Sequence, residues 1–279
     1  MPIGRILDVV SRAMGRRLGP QRFGPRAMPA DGPRPPAADL DIRAEELLNW
    51  GFICSGLPRG PKMGLDLGAG ESPIIPAMLA LGYDVTAADL CPAGPSDAGP
   101  RQAGRSQAGA RPVDAGAGRA GASAYVAGIH SIPGDFLRLD PGPGAAATRK
   151  CFDVVVSCSV IERIGLAGRH GSVEDPDGDF KAMRAIAGIL KRNGLFFLTV
   201  PVGRDTVVAR GRRVYGRNRL PKLLAGFDLV DYRFLVKEPR GPWSASSADA
   251  ALEFPADERR YALGQMILRD ESDLGKPEI

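Results

Sequence analysis

Residues 63–90 limit what this chain can build more than any other stretch. They read Met-Gly-Leu-Asp-Leu-Gly-Ala-Gly-Glu-Ser-Pro, a short apolar segment, then Tyr-Asp-Val-Thr-Ala-Ala-Asp-Leu. The pattern predicts a strand over 63–67, a glycine turn, a helix, and a second strand over 84–89 that ends in a carboxylate. An open α/β sheet builds a ligand crevice in this way, at the carboxyl ends of its strands. Gly68 and Gly70 have no side chains, so the backbone there can turn sharply and let a ligand touch it. Asp89 lies 19 residues after Gly70, where a carboxylate can accept hydrogen bonds from both hydroxyls of a ribose.

A dinucleotide fingerprint needs a third glycine three residues after Gly70, and this chain has Pro73 there. Asp66 instead gives Asp-x-Gly-x-Gly. This resembles the first motif of the class I methyltransferases, which bind S-adenosylmethionine (SAM). The resemblance implies a cofactor site made by Asp66, Gly68, Ala69 and Gly70, with Asp89 and Leu90 at the end of the second strand. The alternative is an ordinary glycine-rich strand-to-helix turn. Asp135 and Phe136 follow the strand expected over 127–133. In this superfamily an Asp there often accepts from the adenine amino group, and the next residue packs on the ring. A strand-ending Gly-Asp turn is the other reading. Ser157 and Cys158 end the run Phe-Asp-Val-Val-Val-Ser, which reads as a central strand buried on both faces. The resemblance sets them beside the methionine end of SAM. Cys158 itself reads as a small buried hydrophobe rather than a nucleophile.

Beyond that strand the resemblance narrows. Ser-Val-Ile-Glu-Arg-Ile-Gly-Leu-Ala-Gly-Arg-His-Gly, Asp-Pro-Asp-Gly-Asp-Phe-Lys-Ala-Met, Leu-Thr-Val-Pro-Val-Gly and Arg-Arg-Val-Tyr-Gly-Arg-Asn-Arg-Leu-Pro are similar to an uncharacterised bacterial domain-of-unknown-function family. Its genes often sit among those for cell-surface polysaccharides. The similarity covers about 152–235. Two positions depart from it: Arg163 and Arg212 stand where the family carries histidines, so a proton-transfer role for those histidines does not carry over.

Methyl transfer needs oriented partners and a group to take one proton. The candidate bases are His170 and Glu162, with Asp175, Asp177 and Asp179 nearby. His170 has the intrinsic pKa best suited to neutral pH. Asp175-Pro-Asp-Gly-Asp resembles half a calcium loop, but Ile186 occupies the position of the closing glutamate, so it reads as a turn and helix cap. Six arginines between 204 and 219 crowd the segment after the fifth strand. They either grip an anionic substrate, with Arg213 and Tyr215 as substrate contacts, or form a solvated face.

The remaining chain bounds the setting. The six arginines of residues 1–27, against one aspartate, account for the whole net charge of +5, so the body carries no nucleic-acid signature. Ile3, Ile6, Leu7, Val10 and Met14 give a short basic amphipathic helix. It either packs on its own domain or makes a weak contact with a membrane surface. A Pro-rich linker follows to residue 38, and then a helix over 41–50 with Ile42, Leu47, Leu48 and Trp50 as its apolar residues. Four cysteines without a CxxC pair, and two histidines, leave no disulfide framework or histidine-rich metal site. No bilayer-spanning run or signal peptide is present, and a reducing cytoplasm fits. Residues 92–124 repeat Ala-Gly with Pro and Arg and read as a flexible insert, where this superfamily normally has a crossing helix.

The expectation is a Rossmann-like α/β domain over 39–279, with a seven-stranded, mostly parallel sheet flanked by helices. Its implied activity is SAM-dependent O- or N-methylation of a small-molecule or glycan acceptor. A non-catalytic binding protein on the same fold is the first alternative. A nucleotide-sugar enzyme with a dinucleotide site is the second, opposed by Pro73.

Overall fold

The computed structural model describes residues 37–68, 73–88, 129–132, 150–166, 174–208, 211–237, 241–257 and 260–270. The expected amphipathic helix near the N-terminus and the insert at 92–124 lie outside them. Helix α1 (Ala37–Gly56) leads into β1 (Met63–Leu67), α2 (Ile74–Ala80), β2 (Asp84–Ala88), β3 (Ile129–Ile132) and β4 (Phe152–Cys158). A 3₁₀ turn (Ile161–Arg163), α3 (Gly178–Ile189) and β5 (Leu190–Val202) follow. Then come β6 (Thr206–Val208), β7 (Arg212–Val214), α4 (Leu220–Leu223), β8 (Phe227–Lys237), β9 (Trp243–Ser246), α5 (Ala248–Leu252) and β10 (Ala262–Asp270).

Eight strands form the main sheet in the order β3-β2-β1-β4-β5-β10-β8-β9. The strands from β3 to β5 run parallel. β10 lies antiparallel between β5 and β8, and β9 pairs antiparallel on the outer edge of β8. This is the expected Rossmann-like α/β sheet with one strand more than seven, because 243–246 adds an edge strand. The first five strands follow the 3-2-1-4-5 order of doubly wound sheets, which reverses direction between β1 and β4. The antiparallel β10 separates this sheet from an all-parallel dinucleotide-binding one.

Alternation along the strands makes two cores. Val155, Phe196, Leu198 and Val200 pack with Ala182, Met183 and Ile186 of α3. Val154, Val156 and Phe197 face the other way, onto Phe52 and Ile53 of α1 and Ile74 and Met78 of α2. The β-branched run at 154–156 is buried on both faces, as its sequence predicts.

α3 stops at Ile189, ahead of Asn193-Gly194. Asn193, at φ 60°, marks a bulge that moves the β4–β5 register from Phe152↔Leu190 to Val154↔Leu195. α1 begins at Ala37 and runs to Gly56, longer at both ends than expected. No helix among the described residues is long and apolar enough to cross a membrane.

Candidate active site at the carboxyl edge of the sheet

The switch point between β1 and β4 brings two strand ends together. Register aligns Asp66 with Ala87 on one side and Val156 on the other, and pairs Leu67 with Ser157. Asp66 is buried. Gly68 N–H donates to the Ala88 carbonyl at 2.8 Å, which ties the turn to the end of β2. Gly68 has φ 70°, and a Cβ added there would meet a Val160 methyl at 2.6 Å. The turn after β1 therefore lies directly against the turn after β4, and only glycine fits between them. Of the expected cofactor residues, Asp66, Gly68, Ser157 and Cys158 converge here. Ala69, Gly70, Asp89, Leu90, Asp135 and Phe136 lie outside the described residues.

The β4 end is unusually constrained. Ser159 is a non-glycine residue at φ 55°, and its N–H donates to both the carbonyl and the hydroxyl of Thr199, each at 3.1 Å. Asn49 of α1 donates to the Ser159 hydroxyl at 3.3 Å and accepts from Gln265 of β10 at 2.9 Å. Thr199 Oγ1 lies 3.8 Å from Cys158 Sγ and donates to it. Burial above all pushes the Cys158 thiol up to about 12, against the Thr199 hydrogen bond, with the carboxylates of Asp66, Glu162 and Glu45 adding to the rise. Cys158 therefore stays a neutral thiol near pH 7, not a methyl-accepting thiolate.

Glu162 sits just beyond, fully buried. Its Oε1 faces Arg163 Nε at 3.4 Å and Arg212 Nε at 3.6 Å. Its Oε2 has no hydrogen-bond partner among the described residues, and neither does Ser157 Oγ. Arg212 reaches on to Glu45 at 3.1 Å and to the Tyr261 hydroxyl at 2.9 Å, and Tyr261 donates to Glu45. Burial raises the Glu162 carboxyl, the two arginines oppose that rise, and Glu45 adds to it. Arg163 and Arg212, the two positions that depart from the resemblance, thus close on one carboxylate.

The arginine-rich segment does something other than expected. Arg213 is 3% exposed and Tyr215 wholly buried, so neither presents a side chain to a substrate. Arg213 donates to the carbonyls of Ile164, Asp175 and Pro176 and pairs with Asp179 at 3.8 Å. Tyr215 donates to Asp179 at 3.0 Å, and Arg219 grips the same carboxylate at 2.7 Å. Arg217 is taken by Asp249 and Glu253. Buried guanidinium donors need acceptors, and carbonyls and carboxylates of the fold itself supply them. In place of an anion grip or a solvated face, Arg213, Tyr215 and Arg219 form a brace that fixes Ile164 and residues 175–179 to β7 and α4. His170 lies outside the described residues.

Sequence reasoning missed Glu45, Asn49, Thr199, Tyr261 and Gln265. A signal for the first two exists: Glu45, Asn49 and Phe52/Ile53 follow helical spacing, so the buried stripe of α1 runs from apolar into polar. The expected apolar residue Leu47 is instead 63% exposed.

A sequence-family model described as "Caenorhabditis protein of unknown function, DUF268" matches residues 144–250. It overlaps the expected block at 152–235, but its description carries no bacterial or polysaccharide association. The sequence matches no curated protein. Among solved structures, the chain is similar to the 1,6-didemethyltoxoflavin-N1-methyltransferase of Burkholderia thailandensis, solved with S-adenosylhomocysteine (SAH). That match has 19% identity, covers 87% of this chain and 93% of that one, and has a TM-score of 0.47. The N-methyltransferase NodS of Bradyrhizobium japonicum, also solved with SAH, shows 13% identity over 83% of this chain and 88% of that one, at 0.44. The [4+2]-cyclase SpnF shows 14% identity over 96% and 94%, at 0.49. Two are methyltransferases and one is a cyclase, so the likeness by itself names no reaction.

Proposed function

We propose that the chain is a SAM-dependent methyltransferase acting on an oxygen or nitrogen of a small or carbohydrate-like acceptor. The observation that carries this reading is the switch point: buried Asp66 lies two residues before a left-handed Gly68 that abuts Val160. Gly68 brings the end of β1 against the end of β4, at the switch point where sheets of this order bind their ligands. Asp66, Gly68, Ser157 and Cys158 would hold SAM together with Asp89 and Asp135. SAM would supply an electrophilic methyl group.

The chain's own work is to orient an acceptor and take its proton. Glu162 is the described group best suited to accept that proton, since Oε1 faces two guanidiniums and Oε2 has no hydrogen-bond partner among the described residues. His170 remains a candidate on sequence grounds alone.

A non-catalytic binder on the same sheet is favoured by one observation: Glu162 has no exposed surface. Calorimetric titration with SAH tests both readings. Labelled SAM with a panel of sugar, alcohol and amine acceptors then separates them. A chain that does not bind SAH is neither.

A further inference from the structure

Arg212 ties β7 to α1, to the segment entering β10 and to the 3₁₀ turn. It donates to Glu45 of α1 and to Tyr261, just before β10, and faces Glu162. Its side chain is 14% exposed and lies over the Tyr261 ring at 5.1 Å. Both terminal nitrogens are used by Glu45 and Tyr261, so only Nε is turned toward Glu162, and it has no hydrogen bond. The guanidinium is planar and cannot rotate one nitrogen without moving the others. Its contacts with Glu45 and Tyr261 therefore fix where its charge stands beside Glu162.

We propose that Arg212 is the positioning residue for Glu162: held from α1 and β10, it fixes one arm of that carboxyl at the carboxyl edge of the sheet and leaves the other arm free to accept a hydrogen bond. The inference rests on the methyltransferase reading for its chemical purpose, while the clamp itself stands on geometry. Other groups near Glu162 are Arg163 on its own turn, Glu45 on α1, Cys158 on β4 and Tyr215 after β7. Asp179 of α3 is spent on Tyr215, Arg213 and Arg219. Of these, Arg212 and Glu45 act on Glu162 with opposite signs: Arg212 favours its charged form, and Glu45 opposes it.

The clamp gives a test needing no acceptor. Stability is measured from about pH 4 to 9 in the full chain and in E162Q, and the difference isolates the titration of Glu162. Because the folded carboxyl is raised, the difference should fall as pH climbs above the ordinary glutamate range and level off above the folded value. R212Q, paired with R212Q/E162Q, should move the upper end of that window to higher pH, because a charge that favours ionised Glu162 is gone. Y261F, paired likewise, keeps that charge but removes one of its two holds, and should move the window the same way by less. R212K keeps a charge without the planar fork and should restore only part of the R212Q shift. Windows unmoved in R212Q and Y261F, or full restoration by R212K, overturn the positioning role. Should R212Q not fold, Y261F decides in the same way. SAH titration of the same proteins reads the methyltransferase proposal separately: loss of SAH binding in wild type sinks that reading and leaves the clamp standing.

Discussion

Tyr261 donates its phenolic hydrogen to Glu45, 216 residues earlier in the chain. The bond ties the helix that precedes the first strand to the strand that enters the sheet last. It also burdens the phenol: burial first, then the Glu45 charge, raises the Tyr261 pKa. Both residues meet on Arg212, so the carboxyl edge is held by groups from the two ends of the described chain.

The cofactor reading predicts that SAH or SAM raises the melting temperature and that NAD does not. Asp89→Ala should weaken SAM binding by about 1–3 kcal/mol, the scale for unpairing hydrogen bonds to a charged group. Calorimetry measures both. Equal SAM affinity in wild type and variant would count against Asp89 as the ribose ligand.

Gly68→Ala should destabilise the fold, because a Cβ at φ 70° is strained and would meet Val160 at 2.6 Å. The strain is worth about 1–3 kcal/mol. Adding Val160→Ala should recover the steric part and leave the backbone part. Chemical denaturation of the single and double variants checks this, and no recovery would mean that the two turns are not in contact.

Arg213→Ala should cost stability, not substrate affinity. It removes one partner from buried Asp179 and strands the carbonyls of Ile164, Asp175 and Pro176, for about 3–5 kcal/mol. Arg217→Ala, whose pairs with Asp249 and Glu253 lie at the surface, should cost at most about 1 kcal/mol. Urea midpoints for the two variants should differ widely, and similar midpoints would contradict the brace.

Cys158 should react slowly with iodoacetamide in the native protein, since its thiol is pushed up to about 12. The linkage has a definite sign. The unfolded thiol ionises from about pH 8.5, while the folded one keeps its proton, so Cys158 contributes a loss of stability as pH rises from there toward the folded value. Cys158→Ala should flatten that alkaline fall. An unchanged alkaline profile, or rapid labelling at neutral pH, would refute the assignment of Cys158 as a protonated, shielded thiol.

The parallel half of the sheet is legible in the sequence because glycine turns and β-branched runs are local signals. The strand Met63–Leu67 falls where the pattern puts it. Asp66 and Gly68 are legible for the same reason, since their spacing is the signal. The polar site is not. Glu45 and Asn49 read as the wet face of a helix, and Arg213 and Tyr215 as reaching outward. Whether a charged residue is buried depends on partners distant in sequence: Arg212 meets Glu45 across 167 positions, and Gln265 meets Asn49 across 216. No periodicity carries that information. Glu162 stood out as a carboxylate near a strand end, but its enclosure by Arg163 and Arg212 appears only once β7 is folded against the 3₁₀ turn.

The place of β10 governs how this protein must come together. β5 and β8 are separated by a gap that only a strand from much later in the chain fills. Until residues 262–270 leave the ribosome, each of those strands carries an unpaired edge, open to the wrong partner. The first half-sheet can close on its own helices early, but the two halves become one body only in a late, long-range step, which is slow by its topology. Tyr261 and Gln265 arrive with that strand, so the carboxyl edge is completed by the same event that joins the sheet. A nascent chain paused before β10 would therefore have an unfinished carboxyl edge and two strand edges open to aggregation.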